Sequence, residues 1–228
     1  MRTLIATLVV LCLLLIAADR IGEWEAGKLI ASHVTSTYNL SQKPKVEVRG
    51  TPFLTQWAEG DYREVDVQAP TLTVDKVPIN DVRVQIHDIQ ASAFVTTAAG
   101  FESAGAGRVA MQGQIPYSGL PAPSGFTITP SDGELKLQGS IGIYGVTIPV
   151  SATIAVGVQN GRLVLTAQKV QASNAYVDSI AQQLIQRQLD QVPQPQDLPF
   201  GAHLTGVQVT SNALDIEASG RNVTLAGT

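Results

Sequence analysis

Between residues 134 and 165 hydrophobic side chains recur at every second position, a period that fits extended strands with one apolar face. Leu135, Leu137, Ile141 and Ile143 alternate with Glu134, Lys136, Gln138 and Ser140, Tyr144-Gly145 interrupts, and every even position from 146 to 158 is apolar. Asn160-Gly161 is a strong signal for a two-residue hairpin turn, returning the chain through Leu163 and Leu165. Glycines at 139, 142, 145 and 157 weaken flat pairing and let a sheet coil sharply. Pro149 has no N–H for a ladder, so it is expected on an edge or where its nitrogen faces no neighbour.

The same period appears earlier. Val65, Val67 and Ala69 share one strand face, with Glu64, Asp66 and Gln68 on the other. Val82, Val84 and Ile86 alternate with Asp81, Arg83, Gln85 and His87, and the phase slips at Asp88-Ile89, where a bulge or a strand end is expected. Short strands are expected at 204–209, 214–218 and 223–225. Two stretches have helical spacing instead: 20–37, with Ile21, Trp24, Leu29, Ile30 and Val34, and 174–191, with Val177, Ile180, Ala181, Leu184 and Ile185. Residues 191–199 read as an extended, proline-rich linker. Meanders on both sides of residue 105 hint at two duplicated halves of one domain, although no residue-level repeat supports this. The pattern predicts an α+β fold: a long curved antiparallel sheet wrapped around one or two amphipathic helices, with an elongated apolar groove between them. A two-layer α+β sandwich satisfies the same pattern.

The amino terminus addresses the compartment. Arg2 is followed by sixteen residues, 3–18, without a formal charge, and Asp19-Arg20 ends the run. At ~1.5 Å per residue this reaches about 24 Å, short of a ~30 Å hydrocarbon core, which suits a secretory signal better than a full span. Ala18 offers a cleavage edge, but Ile16 is large for the minus-three position, so an uncleaved anchor to the inner membrane stays equally open. Either way residues 1–18 form a signal or anchor, 19–228 a single domain, and the expected location is the periplasm or cell envelope. The single cysteine, Cys12, lies in the apolar run, so the domain after it has no disulfide and no cysteine metal site.

Charged residues make up 15% of the chain, against ~25% in ordinary globular proteins. A net charge of −4 and 5% aromatic residues argue against nucleic acid, which calls for a basic footprint and stacking rings. Gly105-Ala106-Gly107-Arg108-Val109-Ala110 matches a G-x-G-x-x-A string but leads into an alternating strand, not a helix, so it reads as a turn. Ser118, Ser124 and Ser140 lack the glycines of a nucleophile elbow, and His33, His87 and His203 are dispersed without a metal-binding spacing. Acidic residues alternate along outer strand faces instead of clustering, so no enzyme, metal or cofactor is expected.

Apolar bulk stands where a soluble chain would place polar residues in R-G-T-P-F-L-T-Q-W-A-E-G-D-Y-R-E-V-D-V, residues 49–67. Gly50 and Pro52 end one alternating run and Gly60-Asp61 precede the next, leaving Phe53, Leu54 and Trp57 in a connection. They either plug the end of a core or face lipid.

Gly50, Pro52-Phe53-Leu54-Thr55-Gln56 and Gly60, followed by E-V-D-V, resemble the signature of the LmeA family of exported bacterial phospholipid-binding proteins. Leu198 to Thr210, L-P-F-G-A-H-L-T-G-V-Q-V-T, and the closing stretch 220–225 add to the likeness, which runs from about Ala17 to the C-terminus. Many members carry a large apolar residue where this chain has Thr51. The resemblance implies binding of phospholipids, phosphoinositides among them, a part in building envelope lipoglycans, and a tubular lipid-binding shape. It supplies no ligand motif to map residue by residue.

The residues themselves suggest one. Phe53, Leu54 and Trp57 would form an apolar lip, continued by Val65 and Val67, and Arg63, expected on their strand face at the end nearest the lip, would either help hold phosphate or stand as a solvated strand-end charge. Burying ten methylenes would contribute roughly 8 kcal/mol before ordering costs, so carriage needs no covalent chemistry. The expected partners are phospholipid, a membrane surface and envelope biosynthetic enzymes. A non-catalytic structural partner of an envelope complex is the alternative, and a lipid-modifying enzyme a more distant one.

Overall fold

The alternating runs form strands throughout the computed structural model, which describes residues 2–91, 103–120, 125–131, 133–143, 145–172, 175–191 and 198–225. The expected linker, apart from its ends, lies outside these residues. Helix α1 is Arg2–Thr37, and strand β1, Lys45–Arg49, is followed by the short helix α2, Phe53–Glu59. Strands β2 (Asp61–Val74), β3 (Val77–Gln90) and β4 (Gly105–Pro116) come next, then β5 (Phe126–Ser131), β6 (Glu134–Ile143), β7 (Val146–Gln159) and β8 (Arg162–Gln171). Helix α3, Ala175–Leu189, precedes β9 (His203–Val209) and β10 (Ala213–Thr224). The α+β class with curved antiparallel strands is therefore what the chain adopts, the strands being divided between a six-stranded sheet, β1-β2-β3-β4-β10-β9, and a four-stranded one, β5-β6-β7-β8.

Local chemistry places the ends. Asn160 and Gly161 both have left-handed φ, 52° and 75°, as a type I′ hairpin between β7 and β8 requires. Pro149 pairs with Ser140 of β6, and the β8 ladder stops at Ser151, so no β8 partner meets the nitrogen that lacks a donor. Helix α3 buries Ala181, Ile185 and Leu189. Its Gln186 closes the open edge of β8, accepting from Ala167 N–H at 2.9 Å and donating to the Leu165 carbonyl at 3.1 Å. One contiguous apolar core draws on both sheets and on α1, α2 and α3.

The six-stranded sheet carries a crease. Tyr62 pairs with Ile89 and Glu64 with His87, His87 with Arg108 and Ile89 with Ala106, Arg108 with Arg221 and Ala106 with Val223. These registers leave out a row across four strands: Arg63, Asp88, Gly107 and Asn222. Asp88 and Asn222 have φ of 54° and 50°, the left-handed turn that a strand bulge uses. A Cβ on Gly107 would lie 3.0 Å from the Asp88 Cβ, so a side chain there would crowd the row. Along each of β2, β3 and β4 the inward face changes phase at this row: Tyr62 and Val65, Ile86 and Ile89, and Ala106 and Val109 are all buried three residues apart. The slip expected at Asp88-Ile89 is one member of this row.

Helix α1 runs without a break through residues 18 and 19, joining the apolar run to the amphipathic segment. Its buried face is Gly27, Ile30, Ala31 and Val34; Ile21 and Trp24, expected on that stripe, are 61% and 64% exposed. Length and composition make this helix able to cross a membrane.

Candidate functional site

Phe53, Leu54 and Trp57 sit on α2, a seven-residue helix where the sequence predicts only a connection. Three-residue and four-residue spacing lets Phe53, Leu54 and Trp57 share one side of so short a helix. The helix is held from outside itself. The Asp19 carboxylate, 6% exposed on α1, accepts the Leu54 N–H at 2.9 Å, doing from 35 residues away what an N-cap side chain does locally. Gln56 is buried and bridges two strands, donating to the Gly50 carbonyl at 2.8 Å and accepting the Arg63 N–H at 3.0 Å. At the other end the Gly60 N–H closes the helix on the Gln56 carbonyl at 2.8 Å. Pro52 follows a cis peptide bond, and its extended backbone starts the helix. The P-F-L-T-Q block is thus a clamp between α1, β1 and β2.

Below this clamp lies a cavity of about 290 Å³, near the lower end of small-molecule sites at roughly 300–1,000 Å³. Helix α1 contributes Gly22, Glu25, Ala26, Leu29 and Ile30, and α2 contributes Phe53, Leu54 and Trp57. The sheet supplies Val48, Tyr62, Val65, Ile86 and Ile89, and Ala91, Ala104 and Leu225 complete the wall. Val65 and Ile86 lie on one side of the crease, Tyr62, Ile89, Ala104 and Leu225 on the other. The bend in the sheet thus forms the hollow's floor. A Cβ on Gly22 would meet the Phe53 ring at 3.1 Å, so the absence of a side chain there lets α1 and α2 close over it.

Glu25 is the one carboxylate in the lining, and it is paired with Lys28 at 2.7 Å, whose ammonium also lies 3.2 Å from the centre of the Trp24 ring. Tyr62 packs beside Phe53 with ring centres 6.3 Å apart, and burial pushes its phenol above the ordinary value, so it presents a neutral hydroxyl. Such a lining can hold hydrocarbon, and it offers no nucleophile with a base beside it. Among the described residues no group of three or more His, Cys, Asp or Glu side chains could hold a metal ion.

The cavity brings together Phe53, Leu54, Trp57 and Val65 of the six residues singled out by sequence. Val67 is buried in the core outside the lining, and Arg63 is exposed. The crease is the reason: the phase change makes Tyr62, not Arg63, share the face of Val65. Of the α1 wall, Leu29 and Ile30 stand in the helical period of the sequence, whereas Gly22 and Ala26 are too small to mark it. Ile86 and Ile89 are visible there as the two sides of a phase slip but not as neighbours of α2.

A model of the LmeA-like phospholipid-binding family matches residues 17–219, which include every lining residue except Leu225. No curated protein and no solved structure gives a match.

Proposed function

Because this chain belongs to the LmeA-like phospholipid-binding family, we propose that it holds a phospholipid by an acyl chain inserted between α1, α2 and the creased sheet. One observation carries the reading: an apolar cavity opens beside the P-F-L-T-Q block that the family signature shares. Ten methylenes withdrawn there would supply roughly 8 kcal/mol before ordering costs, enough for reversible binding without covalent chemistry. Phe53, Leu54, Trp57 and Val65 line the chain's path, with Tyr62, Ile86 and Ile89 deeper in. The headgroup stays in water, and Arg63, exposed one residue beyond Tyr62, is the proposed partner for its phosphate. An anionic headgroup such as a phosphoinositide suits that cation. The protein would act as an exported, non-catalytic carrier or accessory factor in envelope lipoglycan assembly, with residues 19–228 as one domain.

Titration with a phospholipid bearing a fluorescent acyl chain tests the assignment. Ala26→Phe fills the cavity from a helical position and Trp57→Asp charges its wall; each is expected to weaken binding at least ten-fold with an unchanged circular dichroism spectrum. Arg63→Ala is expected to weaken anionic lipids more than neutral ones. Binding unaffected by Ala26→Phe and Trp57→Asp would refute the cavity assignment, and an equal loss for both lipid classes would remove Arg63 from headgroup recognition.

A further inference from the structure

We infer that α1 is retained as a membrane anchor and that it sets the cavity's mouth at the headgroup level of the bilayer it crosses, so that lipid enters sideways from that bilayer. The role given to the mouth rests on the proposed acyl-chain cavity; the anchoring rests on separate observations.

The first is the junction at residues 18 and 19. The helix passes through it unbroken, and Asp19 is buried with its carboxylate on the Leu54 N–H. A cut after Ala18 would give Asp19 a charged amino group beside the carboxylate that caps α2, and would begin the helix at its point of attachment. The second is length. With Asp19 turned into the protein, the surface offered to lipid continues to Ile21, 61% exposed. Residues 3–21 rise roughly 28 Å, close to the ~30 Å of a hydrocarbon core. The large apolar residues from Leu4 to Ile16 are each more than half exposed, so no described part of the chain covers them.

The third observation is the chemistry of the turn where the span ends. Arg20 is exposed and paired with Glu23 at 2.6 Å, Trp24 is 64% exposed, and Lys28 stacks on it, the mixture of cation and indole that favours a bilayer interface. The cavity lining begins at Gly22, about 6 Å along the axis from Ala18 at ~1.5 Å per residue. A cavity this close to the span opens among headgroups, and a lipid tail need not cross water to reach it.

The test uses the full chain made in an exporting bacterial host. Intact mass and an alkaline membrane wash come first: residues 2–18 are expected to be present and the protein to stay with the membrane. The chain has two tryptophans, Trp24 and Trp57. In the Trp57→Phe variant the remaining reporter, Trp24, lies outside the cavity lining. Reconstituted in bilayers of brominated phosphatidylcholine, it is expected to be quenched at least two-fold more by bromines near the headgroup than by bromines near the chain end. A mature mass beginning at Asp19, or Trp24 emission indifferent to bromine, would overturn the inference. Quenching of Trp24 that persists when no lipid titrates the cavity would uphold the anchor and refute the cavity reading instead.

Discussion

Asp19 and Gln56 are buried polar side chains beside the cavity: Asp19 accepts a first-turn N–H that the seven-residue helix cannot satisfy alone, and Gln56 joins the backbone just before the helix to the backbone just after it. Losing an N-cap acceptor costs about 1 kcal/mol, which is about a five-fold change in an opening equilibrium. Asp19→Ala is therefore expected to speed amide hydrogen exchange at Leu54 by about five-fold, whereas Asp19→Asn, which keeps an acceptor oxygen, leaves it near its original rate. Equal exchange in both variants would mean that the carboxylate does not hold α2. At this scale sequence reasoning recovers bulk better than direction. Phe53, Leu54 and Trp57 are conspicuous because large apolar groups between Gly50 and Gly60 need cover. Gly22 and Ala26 matter for the space they leave, which no periodicity reports. Unbroken alternation would put Arg63 on the face of Val65, and the crease at that residue reverses the phase.

Among the elements, the crease does most to shape the site. Three strands, β2, β3 and β4, change phase along one row, and the apolar residues on its two sides converge on α1 and α2. Asp88 takes a left-handed conformation that costs a β-carbon-bearing residue roughly 1–2 kcal/mol, least for Asp, Asn and Gly and most for β-branched side chains. Asp88→Val is thus expected to lower stability by about 1–2 kcal/mol in urea denaturation and to weaken lipid binding as the bend opens, while Asp88→Gly holds both near the original values. A valine variant as stable as the parent would show that the bend does not depend on this residue. The phase slip at Asp88-Ile89 is legible in the sequence. Its alignment with Arg63, Gly107 and Asn222 is not, because register between strands is settled by pairings far apart in the chain. Helix α2 is equally hidden: seven residues are too few to nucleate a helix in isolation, and its ends are held by Asp19 from α1 and by the turn at Gly60.

For the whole molecule, alternation of period two with two helical stretches is enough to indicate an α+β fold with curved antiparallel strands. The two sheets meet where β9 touches the β7–β8 pair, with the Leu204 N–H on the Gly161 carbonyl at 3.3 Å, a junction that no local pattern announces. An apolar helix, a clamp of buried polar groups and a creased sheet surround one hollow in a chain of a phospholipid-binding family. This hollow is where the acyl chain is proposed to reside. Photo-crosslinking the full chain with a phospholipid carrying a diazirine at the end of one acyl chain, followed by peptide mapping, tests it most directly. Adducts are predicted on Ile30, Ile86, Ile89 and Leu225; labelling confined to exposed surfaces away from α1, α2 and the crease would contradict it.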